Sequence, residues 1–273
     1  MMLQDQKIAV IGAGNIGRAL IGGLVNGHEF NPSQLWATRR NPWALDQVAD
    51  DFPGIVATKN NKEAVRSATI VILAVKPQNI HGVLDEIAGS LNAGTLVISV
   101  LAGVTSETIQ QRLGQEVAVI RAMPNTPALV DEGATAIAGG RYADTEHLAL
   151  ARYIFEAVGT VEIVPEYLMD AVTGLSGSGP AYVYMFIEAL TDAGVKQGIP
   201  RPIAARLATQ TVFGAAKLVR ETGKHPAILR DEVTTPGGTA IAAVAELESH
   251  GLRTMLINAV GTATERSREL SKS

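Results

Sequence analysis

Residues 7–24 read KIAVIGAGNIGRALIGGL, and this stretch restricts the fold more than any other part of the chain. Lys7-Ile8-Ala9-Val10-Ile11 is a short apolar run rich in β-branched residues, the composition of a strand buried on both faces. Gly12-Ala13-Gly14-Asn15-Ile16-Gly17 follows without a break, and Ile16, Leu20, Ile21 and Leu24 then recur at helical spacing. Strand, glycine turn and helix make the first half of a βαβ unit. Gly12 suits the tight turn, Gly14 lets the backbone approach a pyrophosphate, and Gly17 lets the helix lie close on the strand. The unpaired N–H groups at the start of that helix face the phosphates. The strand–helix context makes dinucleotide binding the favoured reading over a bare glycine-rich turn.

A chain of 273 residues is long enough for two domains, and 47% hydrophobic with 18% charged residues is the composition of a globular protein. A net charge of −4 with no long basic run argues against nucleic acid as a partner. The absence of cysteine excludes disulfides, thiolate catalysis and zinc–cysteine sites. The first strand begins too early for a signal peptide, and no apolar run reaches the length of a membrane span. A cytoplasmic enzyme with no membrane contact is expected.

The second strand, Leu35-Trp36-Ala37, is followed by Thr38-Arg39-Arg40-Asn41, with no carboxylate until Asp46. A site selective for NAD places Asp or Glu there for the ribose 2′-hydroxyl. Two guanidinium forks and a hydroxyl suit a 2′-phosphate instead. NADPH is therefore expected over NADH, with a pair of solvated arginines as the plainer alternative. Residues 42–49 read as a short helix, 55–57 as a third strand, and Asn60-Asn61-Lys62-Glu63 as the opening of another helix. The strongest strand, residues 69–75, stops at Lys76-Pro77, where the ligand crevice of an open α/β sheet lies. Lys76 is either a catalytic or phosphate-binding group or a lysine at the rim. Helix 78–88, strand 95–100, the turn Ala102-Gly103-Val104, helix 106–113 and strand 117–121 complete about six parallel strands.

Met123-Pro124-Asn125-Thr126-Pro127-Ala128 reads as a rigid loop, neither helix nor central strand, and as either a wall of the cofactor crevice or a stiff connector. Residues 134–138 and 161–164 are candidate extra strands, joined by a helix running from an Asp144 cap to a stop at Gly159. Beyond Pro165 helical periodicity takes over, as in Tyr182, Met185, Phe186, Ala189, Leu190 and Ala193, and in Leu252, Met255, Leu256, Ala259 and Val260. A helix is expected over 202–222. The boundary is placed to give a dinucleotide-binding domain over 1–164 and a helical domain over 165–273. So few amphipathic helices leave apolar surface that predicts dimerisation.

Two non-helical insertions are expected in the helical half, at 174–182 and 233–240. Each leads into a helix, and each offers glycine, serine or threonine donors as an anion seat. No group of residues has metal-ligand spacing. His28, His81, His147, His225 and His250 are scattered singly and read as surface or capping residues. Ser178 follows no strand, so it is not a hydrolase nucleophile elbow. A protonated imine draws hydride by its own charge, so positioning plus carboxylate anchoring suffices for its reduction.

The chain resembles the pyrroline-5-carboxylate reductases over nearly its whole length. The motifs are IGAGNIGRALIGGL at 11–24, AVKPQ at 74–78, MPNTPA at 123–128, GLSGSGPAYVY at 174–184 and LRDEVTTPGGTAIAAVAELE at 229–248. The resemblance implies NAD(P)H-dependent reduction of Δ1-pyrroline-5-carboxylate to L-proline. It also implies an α/β fold with an N-terminal Rossmann-type doubly wound sheet, followed by an all-helical dimerisation domain whose dimers commonly form a decamer. The implied cofactor residues are Gly12, Gly14, Asn15, Ile16, Gly17, Arg39, Arg40, Asn61, Ala74, Val75, Lys76, Pro77 and Ala102, the last on the nicotinamide side, to which the 2′-phosphate reading above adds Thr38. Val233, Thr235, Gly237, Gly238 and Thr239 match the loop that holds the substrate carboxylate, largely through backbone N–H groups. Thr239 and Ser178 are the candidate catalytic residues. One departure stands out. The family commonly carries threonine where this chain has Ala240, with its hydroxyl near the substrate nitrogen. That leaves two alternatives open: reduction of another cyclic imine acid, and a catalytically weak NADP-binding sensor.

Overall fold

A computed structural model describes residues 3, 5–27, 30–114 and 116–271; His28 lies outside the described residues. Eight strands form one sheet: β1 (Ile8–Ile11), β2 (Leu35–Thr38), β3 (Val56–Thr58), β4 (Ile70–Leu73), β5 (Leu96–Ser99), β6 (Ala118–Met123), β7 (Gly133–Gly139) and β8 (Gly159–Ile163). Their order is β3-β2-β1-β4-β5-β6-β7-β8. The first six are parallel, with Ile8 in register with both Leu35 and Ile70, and Leu96 with Ala118. This is the doubly wound order, which reverses between β1 and β4. β7 turns antiparallel to β6, and β8 runs parallel to β7. Both candidate extra strands are therefore present, on the far side of the six.

The helices are α1 (Asn15–Gly22), α2 (Pro42–Asp51), α3 (Asn61–Arg66), α4 (Ile80–Ile87), α5 (Ser106–Leu113), α6 (Thr145–Glu156), α7 (Met169–Val172), α8 (Gly179–Lys196), α9 (Arg201–Thr222), α10 (Pro226–Glu232), α11 (Thr239–Ser249) and α12 (Leu252–Leu270). Helices cover both faces of the sheet, so strands such as IAVI and IVIL are buried throughout. Alternation divides the core into two layers. Val10, Leu20, Leu35, Ile72, Ile120 and Phe155 fill one, while Ile11, Val71, Leu84, Val97, Ile109 and Val119 fill the other. Each fully buried aliphatic side chain contributes about 1.5–3 kcal/mol.

Several predicted boundaries follow from local chemistry. The Thr105 hydroxyl accepts the Thr108 N–H, and Gly114 adopts φ 65°, so α5 starts and stops where its sequence signals place it. Asp144 and His147 form a reciprocal cap at the start of α6. The His147 N–H holds the Asp144 carboxyl below the usual carboxylate range. That cap is retained above the unfolded value and lost as pH falls through the lowered one.

Other expectations need correction. The helix over 78–88 begins as a 3₁₀ turn, Pro77–Asn79. Residues 123–128 are not loop throughout: Met123 ends β6, and Thr126–Val130 is a 3₁₀ turn. Proline is tolerated in the first turn because the N–H it lacks has no partner there. α6 does not run to Gly159; its C-cap is Ala157, and Gly159 opens β8 with φ 147°. The 174–182 stretch is not a non-helical insertion either. Residues Thr173–Gly177 widen α7 into a π turn, and α8 starts at Gly179. The Ser178 N–H donates to Thr173 O at 2.8 Å, and the Ser176 hydroxyl to Val172 O at 3.1 Å. These two donors, read as open to an anion, are spent within the turn.

The chain divides into two compact units. One runs to Ser178 and resumes at Gly261; the other is Gly179–Val260. The first extends past Pro165 because Met169 is buried against Ala136 and Ala138. In the second, Ala204 and Ala208 are buried, and the Gly194 site approaches the Ala204 methyl. Met185 and Ile257 of this unit are each 70% exposed, and Leu207, Phe213 and Met255 are also exposed. Taken alone, a single copy buries little of the apolar stripe that its helices carry. Among the described residues no helix is long and apolar enough to cross a membrane.

Candidate cofactor crevice and substrate loop

The turn after β1 is fixed by three carbonyl and hydroxyl acceptors. Gly12 N–H donates to both Thr38 O and Thr38 Oγ1 at 3.2 Å, Ala13 N–H to Thr38 O at 2.9 Å, and Gly14 N–H to Gly12 O at 2.7 Å. Gly12 has φ 89°, and a Cβ there would lie 2.7 Å from Val75 Cγ1. Gly17 is equally confined, 3.0 Å from Val10 Cγ1 and 3.2 Å from Gly12 O at its own missing Cβ. Gly14 faces open space, its nearest neighbour 3.9 Å away. The first helical bond is Arg18 N–H to Gly14 O, so the N–H groups of Asn15, Ile16 and Gly17 have no intrahelical acceptor. This is the geometry that seats a pyrophosphate.

A cavity of about 280 Å³ opens beside that turn at the carboxyl ends of the strands. Gly12, Gly14, Thr38, Arg39, Arg40, Asn61, Ala74, Val75 and Lys76, all among the residues expected to meet the cofactor, line it. Sequence reasoning missed Asn41, Lys59, Asn79 and Val83. Lys59 follows β3 as Arg39 follows β2, so the crevice rule applied to every strand end locates it. Arg39, Arg40, Lys59 and Lys76 thus ring one cavity. Among the described residues none of the four pairs with a carboxylate, so their charge is left for an anion. Two of these residues also hold the protein itself. The buried Thr38 hydroxyl accepts the Gly12 N–H and so fixes the turn. The Asn61 amide donates to Glu86 at 2.9 Å, which fixes its orientation at the cavity wall.

Pro77 and Ala102 line a separate cavity of about 500 Å³, together with His81, Gly103 and Leu270. Ser178, expected to be catalytic, lines neither of the two. The 126–130 turn contacts α1 away from the glycine turn, where Ala128 and Leu129 stand beside Gly22 and Gly23.

The loop expected to hold the substrate carboxylate, residues 233–240, belongs to the second unit. After α10 the chain makes a turn at Pro236-Gly237, with Gly237 at φ 67°, and enters α11 through Gly238. Gly238 N–H donates to Thr235 O at 2.9 Å, so it is not one of the carboxylate donors the resemblance implies. A Cβ at Gly238 would instead collide with Thr235 Oγ1, so its contribution is space. The donors that α11 leaves without helical acceptors are the N–H groups of Thr239, Ala240 and Ile241. Val233 and Thr235 are exposed on the same loop.

The histidines do local work. His225 accepts the Ala227 N–H at the start of α10, His147 completes the α6 cap, His81 contacts Arg112, and His250 contacts Glu246. Among the described residues no three His, Cys, Asp or Glu side chains converge as for a metal.

The family described as pyrroline-5-carboxylate reductase dimerisation matches residues 166–270, and that described as NADP oxidoreductase, coenzyme F420-dependent, matches residues 7–103. The pyrroline-5-carboxylate reductase of Escherichia coli is 44% identical over 269 residues, spanning 98% of this chain and 100% of that protein. The solved structure of a pyrroline-5-carboxylate reductase from Coxiella burnetii is 38% identical, with a TM-score of 0.92 over 98% of this chain and 99% of that one. The Plasmodium falciparum pyrroline carboxylate reductase, solved with NADP bound, is 30% identical, with a TM-score of 0.88 over 98% and 99%. Identity of this level over nearly the whole of both chains places the chain in the pyrroline-5-carboxylate reductase family.

Proposed function

We propose that this protein reduces Δ1-pyrroline-5-carboxylate to L-proline with NADPH, the last step of proline biosynthesis. The observation that carries the cofactor assignment is the cavity beside the Gly12 turn, ringed by four cations that pair with no carboxylate among the described residues. When bound there, NADPH would supply the hydride that reduces the protonated imine carbon. The chain's own residues bind and orient. Gly14 lets the backbone approach the pyrophosphate, and Asn15, Ile16 and Gly17 donate N–H groups to it. Arg39, Arg40 and Lys59 hold the 2′-phosphate on the β2–β3 side. The α11 N-terminus seats the substrate carboxylate through the Thr239 and Ala240 N–H groups, with Val233 and Thr235 beside it. Residues 1–164 carry the cofactor functions and 165–273 the substrate and subunit functions. The exposed apolar stripes of the second unit support a homodimer, with further assembly to a decamer, and the protein is assigned to the cytoplasm.

The test is NADPH oxidation followed by absorbance with Δ1-pyrroline-5-carboxylate, with NADH run in parallel. Turnover that depends on the imine and favours NADPH is expected; cofactor binding without turnover overturns the reaction. Replacing both Arg39 and Arg40 with serine removes two guanidinium partners of the 2′-phosphate. Charge-assisted bonds are worth about 1.5–3 kcal/mol when buried, and these side chains are partly solvated. KM for NADPH should therefore rise at least about tenfold while KM for NADH changes little. Equal rises for both cofactors exclude the 2′-phosphate role.

A further inference from the structure

Two contacts outside the cofactor cavity bracket one short loop, residues 100–105 between β5 and α5: one is on Gly103 within it, the other on Ser106, the first residue of α5. On its α5 side, both oxygens of Glu166 are engaged. Oε1 accepts the Ser106 N–H at 2.8 Å, and Oε2 accepts the Ser106 hydroxyl at 2.6 Å. Oε1 also faces Arg121 Nη1 at 3.3 Å. The arrangement is confined: Ser106 is 3% exposed, Arg121 is 5% exposed, and the missing Cβ of Gly140 stands 2.7 Å from Ser106 Cβ. A carboxylate at a helix N-terminus complements the positive end of its dipole. In the loop itself, Gly103 has φ 72°, and its missing Cβ stands 3.0 Å from Leu270 Cβ and 3.4 Å from Ser271 N. The last turn of α12 therefore lies directly on the loop backbone. The two grips are joined, because the buried Ser267 hydroxyl donates to Asp170 at 2.6 Å.

Strand order gives this loop its relevance. The sheet reverses between β1 and β4, and a dinucleotide straddles that point. Arg39, Arg40 and Lys59 follow β2 and β3 and draw the phosphorylated adenosine half to that side. The nicotinamide half then extends over β4 and β5, whose carboxyl ends carry Lys76 and the 100–105 loop. Glu166 and the Leu270–Ser271 turn belong to the first unit, on the segments that lead up to residue 179 and follow residue 260, where the chain leaves that unit and returns to it.

We infer that Glu166 and the Leu270–Ser271 turn are positioning residues for hydride transfer: they fix the β5–α5 loop that walls the nicotinamide half of the cofactor. They touch no reacting atom. They act through Ser106 and Gly103 on where the loop stands, and so on how the dihydronicotinamide ring is held. The inference rests on the reading of the crevice as an NADPH site, but not on the identity of the imine.

The experiment uses two variants of the full enzyme, Glu166→Gln and a truncation after Glu269, with three readouts. The first is affinity for 2′,5′-ADP, which samples only the adenosine half. The second is fluorescence of the dihydronicotinamide in bound NADPH. The third is kcat with Δ1-pyrroline-5-carboxylate. Positioning predicts 2′,5′-ADP affinity within about twofold of the parent, at least a halving of the bound-NADPH fluorescence enhancement, and a fall of about tenfold in kcat. Glu166→Gln strips Arg121 of its counter-charge, so if that variant does not fold the truncation decides. Unchanged fluorescence and kcat, 2′,5′-ADP and NADPH affinity weakened in step, or loss of folding in both variants each overturn the inference. If the parent itself binds NADPH but does not turn over this imine, the functional reading fails, and the first two readouts still judge the loop.

Discussion

Gly159→Ala is expected to destabilise the protein by about 3–4 kcal/mol. Gly159 opens β8 with φ 147°, a backbone region that side chains rarely enter. It pairs with Gly133 across the ladder, and Gly133 N–H donates to Val158 O at 2.8 Å. A Cβ at residue 159 would strike the Gly133 backbone, with its carbonyl carbon at 2.6 Å. Backbone cannot rotate aside as a side chain does, so β7 and β8 must separate or the turn must rebuild. The comparison that isolates this collision is Gly114→Ala. Gly114 also sits at positive φ, 65°, but nothing lies within 4 Å of its missing Cβ. That change should cost only the left-handed penalty, about 1–2 kcal/mol. Denaturant midpoints of both variants check the prediction, and equal losses would show that conformation alone, not contact, makes glycine necessary at 159.

The same residue shows where sequence reading stops. Gly159 looks like a helix stop because glycine after an amphipathic run is a local signal, and α6 does end close by. Its real constraint is the partner strand, whose Gly133 is far off in sequence and announced by no spacing rule. Elements governed by neighbours in the chain were legible. The β1–turn–α1 unit, α5 between Thr105 and Gly114, and α6 from Asp144 all depend on residues within one or two turns. The cofactor crevice was legible because strand ends in this fold converge by rule, so Arg39, Arg40 and Lys76 could be placed without coordinates. Lys59 was missed only because the rule was not extended to β3. Glu166 was illegible in a stricter sense: it reaches Ser106 and Arg121 across sequence separations of 60 and 45. The π turn at Thr173–Gly177 was hidden for another reason. Its glycines and serines are the composition of a loop, and only the backbone bonds reveal a helix there.

Ala240→Thr should increase turnover of Δ1-pyrroline-5-carboxylate by roughly tenfold or more. Ala240 is the second residue of α11, on the loop assigned to the substrate carboxylate, at the position where the resemblance implies a threonine. Restoring one hydrogen bond to a charged group is worth about 1.5–3 kcal/mol, or about 10- to 100-fold in rate if it forms in the transition state. Thr239 does not replace that hydroxyl by proximity alone, because successive residues of a helix point about 100° apart. The two positions make opposite predictions. If the hydroxyl acts from position 240, Ala240→Thr raises kcat/KM with KM for NADPH unchanged, and Thr239→Ala alters kcat little. If Thr239 already fills the role, Thr239→Ala lowers kcat about tenfold and Ala240→Thr gains nothing. The first pattern is expected, since the side chain of Ala240 is half-buried whereas Thr239 is exposed to water. Running the pair on five- and six-membered cyclic imine acids separates a weakened enzyme from one tuned to a different ring: a gain confined to the five-membered ring marks position 240 as part of ring selection.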